Sequence, residues 1–168
     1  MKKFISWIFD PPVTGPSSVL IIRFMVGSVF SWEGTLKFVY ANQGAGRFTK
    51  LGFPFPETMA HVIATGEILG GVLLILGLFT RAVALYFIAQ MIVAVLSTKI
   101  SLYLGTSPLP LPPVPPKVGI WALLHEIRSD FAQILCCLFL AIEGAGRRSL
   151  DFTIITSKKI YSFRKGSS

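Results

Sequence analysis

Residues 59–79 read MAHVIATGEILGGVLLILGLF, and Glu67 is the only acidic residue in this run of 21. A helix needs about 20 mostly apolar residues to cross the hydrocarbon core of a bilayer. The run has this length, and only Thr80 and Arg81 separate it from a second apolar run at residues 82–100. The stretch therefore predicts two neighbouring membrane-spanning helices joined by a short turn.

Two more apolar runs flank this pair, at residues 17–40 and 118–142. The last one is weaker, because polar side chains interrupt its first half and leave a clean apolar part of only 12 residues, 131–142. It spans the bilayer if those polar groups face the bundle or the headgroups. We therefore expect an all-α integral membrane four-helix bundle over residues 17–151. An interfacial segment at residues 1–16 would precede it, and a basic cytoplasmic tail at residues 152–168 would follow it.

The composition excludes other classes of protein. Hydrophobic residues make up 52% of the chain and charged residues 14%. A disordered chain needs low hydrophobicity and high charge, and a soluble domain carries about a quarter charged residues. The net charge of +8 would suggest a nucleic-acid partner in a soluble protein, but here we interpret it as a signal of membrane orientation. The expected partner is the lipid bilayer, and no nucleic acid is expected.

The orientation follows from lysine and arginine in the short loops and tails, which favour the cytoplasmic side. With four crossings, the side that holds both termini carries nine of these residues and the opposite side carries four. We therefore expect both termini in the cytoplasm. The nine are Lys2, Lys3, Arg81, Arg147, Arg148, Lys158, Lys159, Arg164 and Lys165, and the four are Arg47, Lys50, Lys99 and Lys117.

Residues 107–117 read SPLPLPPVPPK, a loop that should form a stiff polyproline II segment. It serves either as a spacer between the third and fourth helices or as a docking site for a partner protein. The two cysteines, Cys136 and Cys137, are adjacent and lie in an apolar run, so we expect them to fill space in the core. Neither the cysteines nor the histidines have the spacing of a metal site, and no metal is expected.

Ionisable side chains inside a bilayer are costly, so each is a candidate for function. Glu67, Glu33 and Asp130 are candidates for proton transfer or ligand contact, and no catalytic residue is assigned. Lys37 can pair with Glu33 along its helix or with Glu67 across helices. Two interpretations stay open: interhelical ion pairs that fix the bundle, or a pocket for a polar headgroup, a quinone ring or a small anion. The candidate ligand-binding residues are Lys37, Arg128, His125 and Glu126.

Four segments resemble the DoxX family of small four-helix bacterial membrane proteins. They are IIRFMVGSVFSWEGTLKF at 21–38, FTKLGFPFP at 48–56, GEILGGVLLILGLFTR at 66–81 and GAGRRSLD at 144–151. The third segment carries the most specific part of the pattern. The chain departs from the pattern at Glu33, where many relatives have histidine. The remaining motif positions that we single out are Arg23, Gly27, Gly34, Gly70, Gly71 and Arg81.

The resemblance implies a multi-pass protein of the bacterial inner membrane. It also implies a component or partner of a redox system linked to a quinone or a sulfur compound, at most the membrane subunit of an oxidoreductase of the thiosulfate:quinone type. A quinone is the candidate cofactor, and a membrane or soluble redox protein is the candidate partner. A homo-oligomer is compatible with the sequence. The alternative functions are a non-enzymatic scaffold that recruits partner proteins and, less favoured, a small-solute transporter.

Overall fold

The computed structural model describes Trp7 and residues 15–157. This part of the chain is helical and contains no strand. Most of the interfacial segment expected at residues 1–16, and residues 158–168 of the expected tail, lie outside it. The helices are α1 (Val19–Val39), α2 (Ala45–Lys50), α3 (Pro56–Leu76), α4 (Thr80–Thr98), α5 (Ile100–Leu104) and α6 (Ile120–Glu143), and residues 150–157 are also helical.

Three helices are long and apolar enough to cross a membrane: Val19–Val39, Pro56–Leu76 and Thr80–Leu104, the last of which joins α4 and α5. They correspond to the first three apolar runs, so the prediction of a multi-pass, all-helical membrane protein is confirmed at this level. The fourth run forms α6, which has 24 residues. Its polar first half sets it apart from the other three, and its crossing of the membrane remains a prediction.

The four long helices associate as two pairs, α1 with α3 and α4 with α6. Glycines permit the close approach of α1 to α3. A Cβ added at Gly27 would lie within 2.5 Å of the Gly71 carbonyl oxygen, and a Cβ added at Gly34 would lie 2.6 Å from the Ala64 carbonyl oxygen. Any larger residue would force the backbones apart, which is why small residues recur where membrane helices cross.

Aromatic packing joins the two helix pairs. The rings of Phe30 on α1 and Phe87 on α4 are parallel, with centroids 3.6 Å apart. A Cβ added at Gly70 on α3 would lie 2.7 Å from the Phe87 ring, so this glycine makes room for the phenylalanine. Cys137 on α6 is fully buried in the same core, where it acts as a small packing residue.

The end of the bundle where α3 turns into α4, here called the turn end, is fixed by residues from distant parts of the chain. Gly77 ends α3 with a φ of +69°, a conformation that glycine adopts without strain. The Asp151 carboxylate accepts hydrogen bonds from the backbone N–H groups of Phe79 at 3.0 Å and Thr80 at 3.2 Å. The Asp151 N–H donates in turn to the Gly77 carbonyl oxygen at 2.9 Å. Asp151 thus caps α4 from outside that helix.

Two arginines complete the turn end by binding carbonyl groups at and beyond the end of α6. Arg23 is 1% exposed and donates to the carbonyl oxygens of Ala145 at 3.0 Å and Arg148 at 2.7 Å. Arg81 donates to Ile142 O at 3.0 Å and to Trp7 O at 3.1 Å, and its guanidinium lies 4.6 Å from the centre of the Trp7 ring. Carbonyl groups at a helix C-terminus lack partners within the helix and attract cations. Both arginines therefore have a structural role.

Candidate ligand-binding cavity

A cavity of about 420 Å³ lies between the four long helices, toward the end opposite the turn end. We call this cavity the inner cavity. The end of the bundle near it carries α2, α5 and the proline-rich loop, and we call it the loop end. Aromatic and aliphatic side chains form much of the cavity wall. Its polar lining comprises Glu33, Lys37, Gln43, Arg47, Glu67, Gln90, Ser97, Thr98, Lys99, Ser129, Asp130 and Gln133.

Glu67 is the most buried acid in this wall, with 3% of its side chain exposed. Its Oε2 accepts from Lys37 Nζ on α1 at 2.7 Å, and its Oε1 accepts from Gln90 Nε2 on α4. One carboxylate therefore ties α3 to two other helices. Lys37 reaches across to Glu67 and not to the carboxylate of Glu33, whose backbone carbonyl oxygen it contacts at 3.3 Å. The positive charge of Lys37 and the negative charge of Glu67 compensate each other, and both side chains still line the cavity.

The α6 side of the cavity carries Asp130 and Gln133, which are three residues apart and so lie on one face of the helix. Asp130 Oδ2 and Gln133 Oε1 are buried and have no hydrogen-bond partner among residues 15–157 and Trp7. Gln90 Oε1, on the facing helix α4, is in the same state. Three acceptor oxygens around one cavity are therefore unsatisfied within the described structure.

The short helix α2 supplies a residue that the sequence did not single out as a site residue. Arg47 lines the inner cavity, next to Phe48, whose ring centroid lies 5.4 Å from that of Phe53. These residues belong to the loop between the first and second apolar runs. The motif around Phe48 marks this loop in the sequence, but nothing in the motif indicates that the loop folds back over the bundle.

A second cavity of about 360 Å³, the outer cavity, lies beside the first and is bordered by the proline-rich loop. The two cavities share lining residues, so they adjoin. Lys99 and Glu126 form an ion pair of 3.3 Å in the wall of the outer cavity. Its basic lining consists of Arg47, Lys50 and Lys99, and the residues common to both cavities are Gln43, Arg47, Thr98 and Lys99.

The structure separates the predicted site residues into three groups. Glu33, Lys37, Glu67 and Asp130 line the inner cavity, and Glu126 lines the outer one. His125 and Arg128 are exposed and line neither of the two cavities. The Arg128 guanidinium instead donates to the backbone carbonyl of His125 on its own helix. In the described part of the chain, His, Cys, Asp and Glu form no group of three that could hold a metal ion.

Comparison with known proteins identifies the family. The DoxX family model matches residues 18–100. The uncharacterized membrane protein Rv3486 of Mycobacterium tuberculosis is 37% identical over 143 residues, which cover 82% of this chain and 81% of the relative. The chain belongs to the DoxX family. This DoxX protein is also 29% identical over 140 residues to CatD of Bacillus subtilis, named as a candidate oxidoreductase, with coverage of 83% and 89%. No solved structure matches it.

The DoxX motif residues divide between structural positions and the cavity. Gly27, Gly34 and Gly71 lie where α1 crosses α3, while Arg23, Arg81 and Asp151 form the turn end. Lys37 and Glu67 are the charged motif residues that meet in the inner cavity. Most motif residues therefore stabilise the bundle, whereas Lys37 and Glu67 also line the candidate site.

Proposed function

We propose that this DoxX protein is a bacterial inner-membrane component or partner of a redox system linked to a quinone or a sulfur compound, with the inner cavity as its ligand site. The observation that carries the proposal is the polar cluster around Glu67 in a cavity between helices that are apolar enough to cross a membrane. A cavity that combines apolar surface with convergent polar groups is typical of small-molecule sites. The name of the relative CatD supports the redox assignment.

The proposed topology has α6 as a fourth crossing and both termini in the cytoplasm. The 24 residues of α6 span about 36 Å at 1.5 Å per residue, enough for the hydrocarbon core. The excess of lysine and arginine at the turn end and the termini supports this orientation. The turn end then faces the cytoplasm, and the cavity lies in the half of the membrane on the other side.

In the proposed site, Glu67 fixes the position of Lys37, and Lys37 directs its ammonium group toward the cavity. A ligand oxygen near Lys37 would gain a charge-assisted hydrogen bond. Glu67 or Asp130 would exchange a proton with the ligand, since a carboxyl group with limited access to water can hold a proton for transfer. Arg47, at the part of the lining shared by both cavities, would bind an anionic group of a ligand on its way inward.

The test is purification of the full-length protein in mild detergent, followed by mass spectrometry of the quinones and sulfur compounds that copurify. We expect a small redox-active molecule at a ratio approaching one per chain. Glu67→Gln should reduce this ratio, because it removes the charge that holds Lys37. The matched control is Glu57→Gln, since Glu57 lies on the same helix but is exposed and lines neither cavity. An unchanged ratio in a folded Glu67→Gln variant would contradict the proposed site.

The alternative is a scaffold that binds another protein through the proline-rich loop. The exposure of this loop favours it, since Val114 is 65% and Leu111 is 46% exposed. Deletion of residues 107–117 separates the two functions. Loss of a copurifying protein with the small molecule retained would support the scaffold, whereas loss of the small molecule alone would support the ligand site.

A further inference from the structure

The chain at and beyond the end of α6 forms an exposed surface at the turn end, here called the tail surface and comprising residues 142–157. Three of its apolar side chains are exposed, Ile142 by 63%, Leu150 by 42% and Ile154 by 44%. The helices α1, α3 and α4, which are long and apolar enough to cross a membrane, begin or end at the same end of the bundle. The tail surface therefore lies where the bilayer meets water, at the depth of the lipid headgroups.

The helix over residues 150–157 has the side-chain pattern of a helix that rests on a membrane surface. Leu150 and Ile154 are four residues apart and form an exposed apolar stripe. Thr153 and Ser157 have the same spacing and form an exposed polar stripe beside it. An exposed face that is apolar on one side and polar on the other suits the boundary between acyl chains and headgroups.

Two arginines, Arg147 and Arg148, are exposed on the tail surface between α6 and this helix. Their backbone is held in place, because the Arg147 N–H group donates to the Gly15 carbonyl oxygen at 3.2 Å and the Arg148 carbonyl oxygen accepts from Arg23 at 2.7 Å. Within residues 15–157 and Trp7, their guanidinium groups form no hydrogen bond and no ion pair. The structure therefore fixes the position of two cations that can bind a group from outside the described chain.

The acidic side chains of the tail surface are engaged elsewhere. The Asp151 carboxylate accepts the N–H groups of Phe79 and Thr80, and Glu143 interacts electrostatically with Arg81. The sequence after residue 157 adds four basic residues and no acidic one, namely Lys158, Lys159, Arg164 and Lys165. The charge of this end of the chain is therefore complementary to that of anionic lipid.

We propose that the tail surface binds an anionic phospholipid, with the headgroup phosphate on Arg147 and Arg148 and the acyl chains against Leu150 and Ile154. A guanidinium group binds phosphate oxygens through paired, charge-assisted hydrogen bonds. The apolar stripe favours a lipid over a free phosphate ion, because a free ion would gain nothing from it. This inference goes beyond the proposed function and does not depend on it, since the inner cavity lies toward the opposite end of the bundle.

The experiment measures which lipid the purified, delipidated full-length protein binds in mild detergent. Phosphatidylglycerol and phosphatidylcholine are offered in equal amounts, since both carry a phosphate but only the first has a net charge, and bound lipid is counted by native mass spectrometry. We expect about fivefold more phosphatidylglycerol, the effect of one basic side chain beside an anionic headgroup. Arg147→Gln/Arg148→Gln should reduce this preference to within about twofold. The matched control, Lys117→Gln/Arg128→Gln, removes the same charge from exposed residues at the loop end and should keep the preference.

Each outcome supports or overturns the proposal. Equal binding of the two lipids by the unmodified protein would overturn it, as would the full preference in Arg147→Gln/Arg148→Gln. An equal loss in the control would assign the preference to net charge and not to the tail surface. Displacement of the lipid by an equal concentration of inorganic phosphate would indicate a free anion as the occupant and overturn the role of the apolar stripe.

A second measurement uses the unmodified protein, so the decision does not depend on the folding of a variant. Phosphatidylglycerol with a photoreactive acyl chain should label residues 142–157, and labels confined to the loop end would overturn the proposal. The ligand of the inner cavity is tested separately by the copurification experiment, so failure of one site leaves the other unaffected.

Discussion

The Asp151 carboxylate binds the backbone N–H group of Thr80, 71 residues earlier in the chain, and so caps the helix that begins there. The same carboxylate holds the N–H group of Phe79. The short turn between α3 and α4 is therefore completed by a residue that follows α6.

Removal of the cap should destabilise the turn end. We expect Asp151→Ala to lower the free energy of unfolding by about 1–2 kcal/mol, because the N–H groups of Phe79 and Thr80 lose their acceptor. Asp151→Asn keeps one acceptor oxygen and should cost less. Thermal unfolding in detergent measures the change, with Thr153→Ala as the control, since Thr153 is exposed and its hydroxyl group donates to the Ser149 carbonyl oxygen of its own segment. Equal losses in all three variants would contradict the capping role.

Arg23 should be needed for stability and not for ligand binding. Arg23→Met leaves the carbonyl groups of Ala145 and Arg148 without their charged donor, at a cost of about 1.5–3 kcal/mol for each hydrogen bond. Arg128→Met is the control, because Arg128 is exposed and contacts a carbonyl of its own helix. Thermal unfolding should separate the two variants clearly. A smaller loss for Arg23→Met than for Arg128→Met would contradict the structural role.

The crossing of α1 and α3 should not accept an added methyl group. Gly27→Ala places a Cβ against the Gly71 carbonyl oxygen and should cost about 1–3 kcal/mol through overpacking. Gly15→Ala is the matched control, because its added Cβ would meet Gly146 Cα at 3.5 Å, an ordinary van der Waals distance. Melting temperatures in detergent test this difference, and a stable Gly27→Ala variant would show that the helices can separate without loss.

The Lys37–Glu67 pair should show strong energetic coupling. Removal of one partner leaves a buried charge alone, so Lys37→Met should cost about 3–5 kcal/mol. The double variant Lys37→Met/Glu67→Leu should recover part of that loss. Lys99–Glu126 is the comparison pair, since 20% and 31% of these side chains are exposed and their coupling should stay within about 1 kcal/mol. A double-mutant cycle for each pair measures the couplings, and similar values would contradict the burial argument.

The proposed topology predicts opposite accessibility for two single cysteines. In a background with Cys136 and Cys137 replaced by alanine, Val114→Cys should react with a membrane-impermeant maleimide in intact spheroplasts. Ser157→Cys should react only after the membrane is opened. The reverse pattern would place the termini outside the cytoplasm, and labelling of both sites without opening the membrane would contradict the fourth crossing.

The sequence predicted the parts of this structure that follow from apolar length. The helices at Val19–Val39, Pro56–Leu76 and Thr80–Thr98 match the first three apolar runs because each run is as long as the bilayer requires. The pairing of Lys37 with Glu67 was also predicted as one option, since opposite charges at similar depth in a membrane tend to form ion pairs. The DoxX membership was evident from the motif segments.

Other parts of the site could not be predicted because they depend on how segments meet. The helix α2 has six residues, too few to show a helical period. The sequence pattern therefore does not indicate that Arg47 reaches the cavity. On α6, depth alone grouped Arg128 with Asp130. Two residues correspond to 200° around a helix, so the two side chains point in different directions. The partners of Arg23 are backbone carbonyls, and these have no signature in the sequence.

The contacts of Arg23 have a consequence for biosynthesis. This arginine lies in the first membrane helix, whereas the two carbonyl groups that it binds are 122 and 125 residues later. During translation, α1, α3 and α4 are made before either of those acceptors exists. Until residues 145–148 have been made, the guanidinium has to be hydrated or bound to other groups, such as lipid headgroups. Final closure of the bundle is therefore coupled to synthesis of residues 145–148, and a chain that stops before Ala145 would carry α1 with a cation that lacks its native partners.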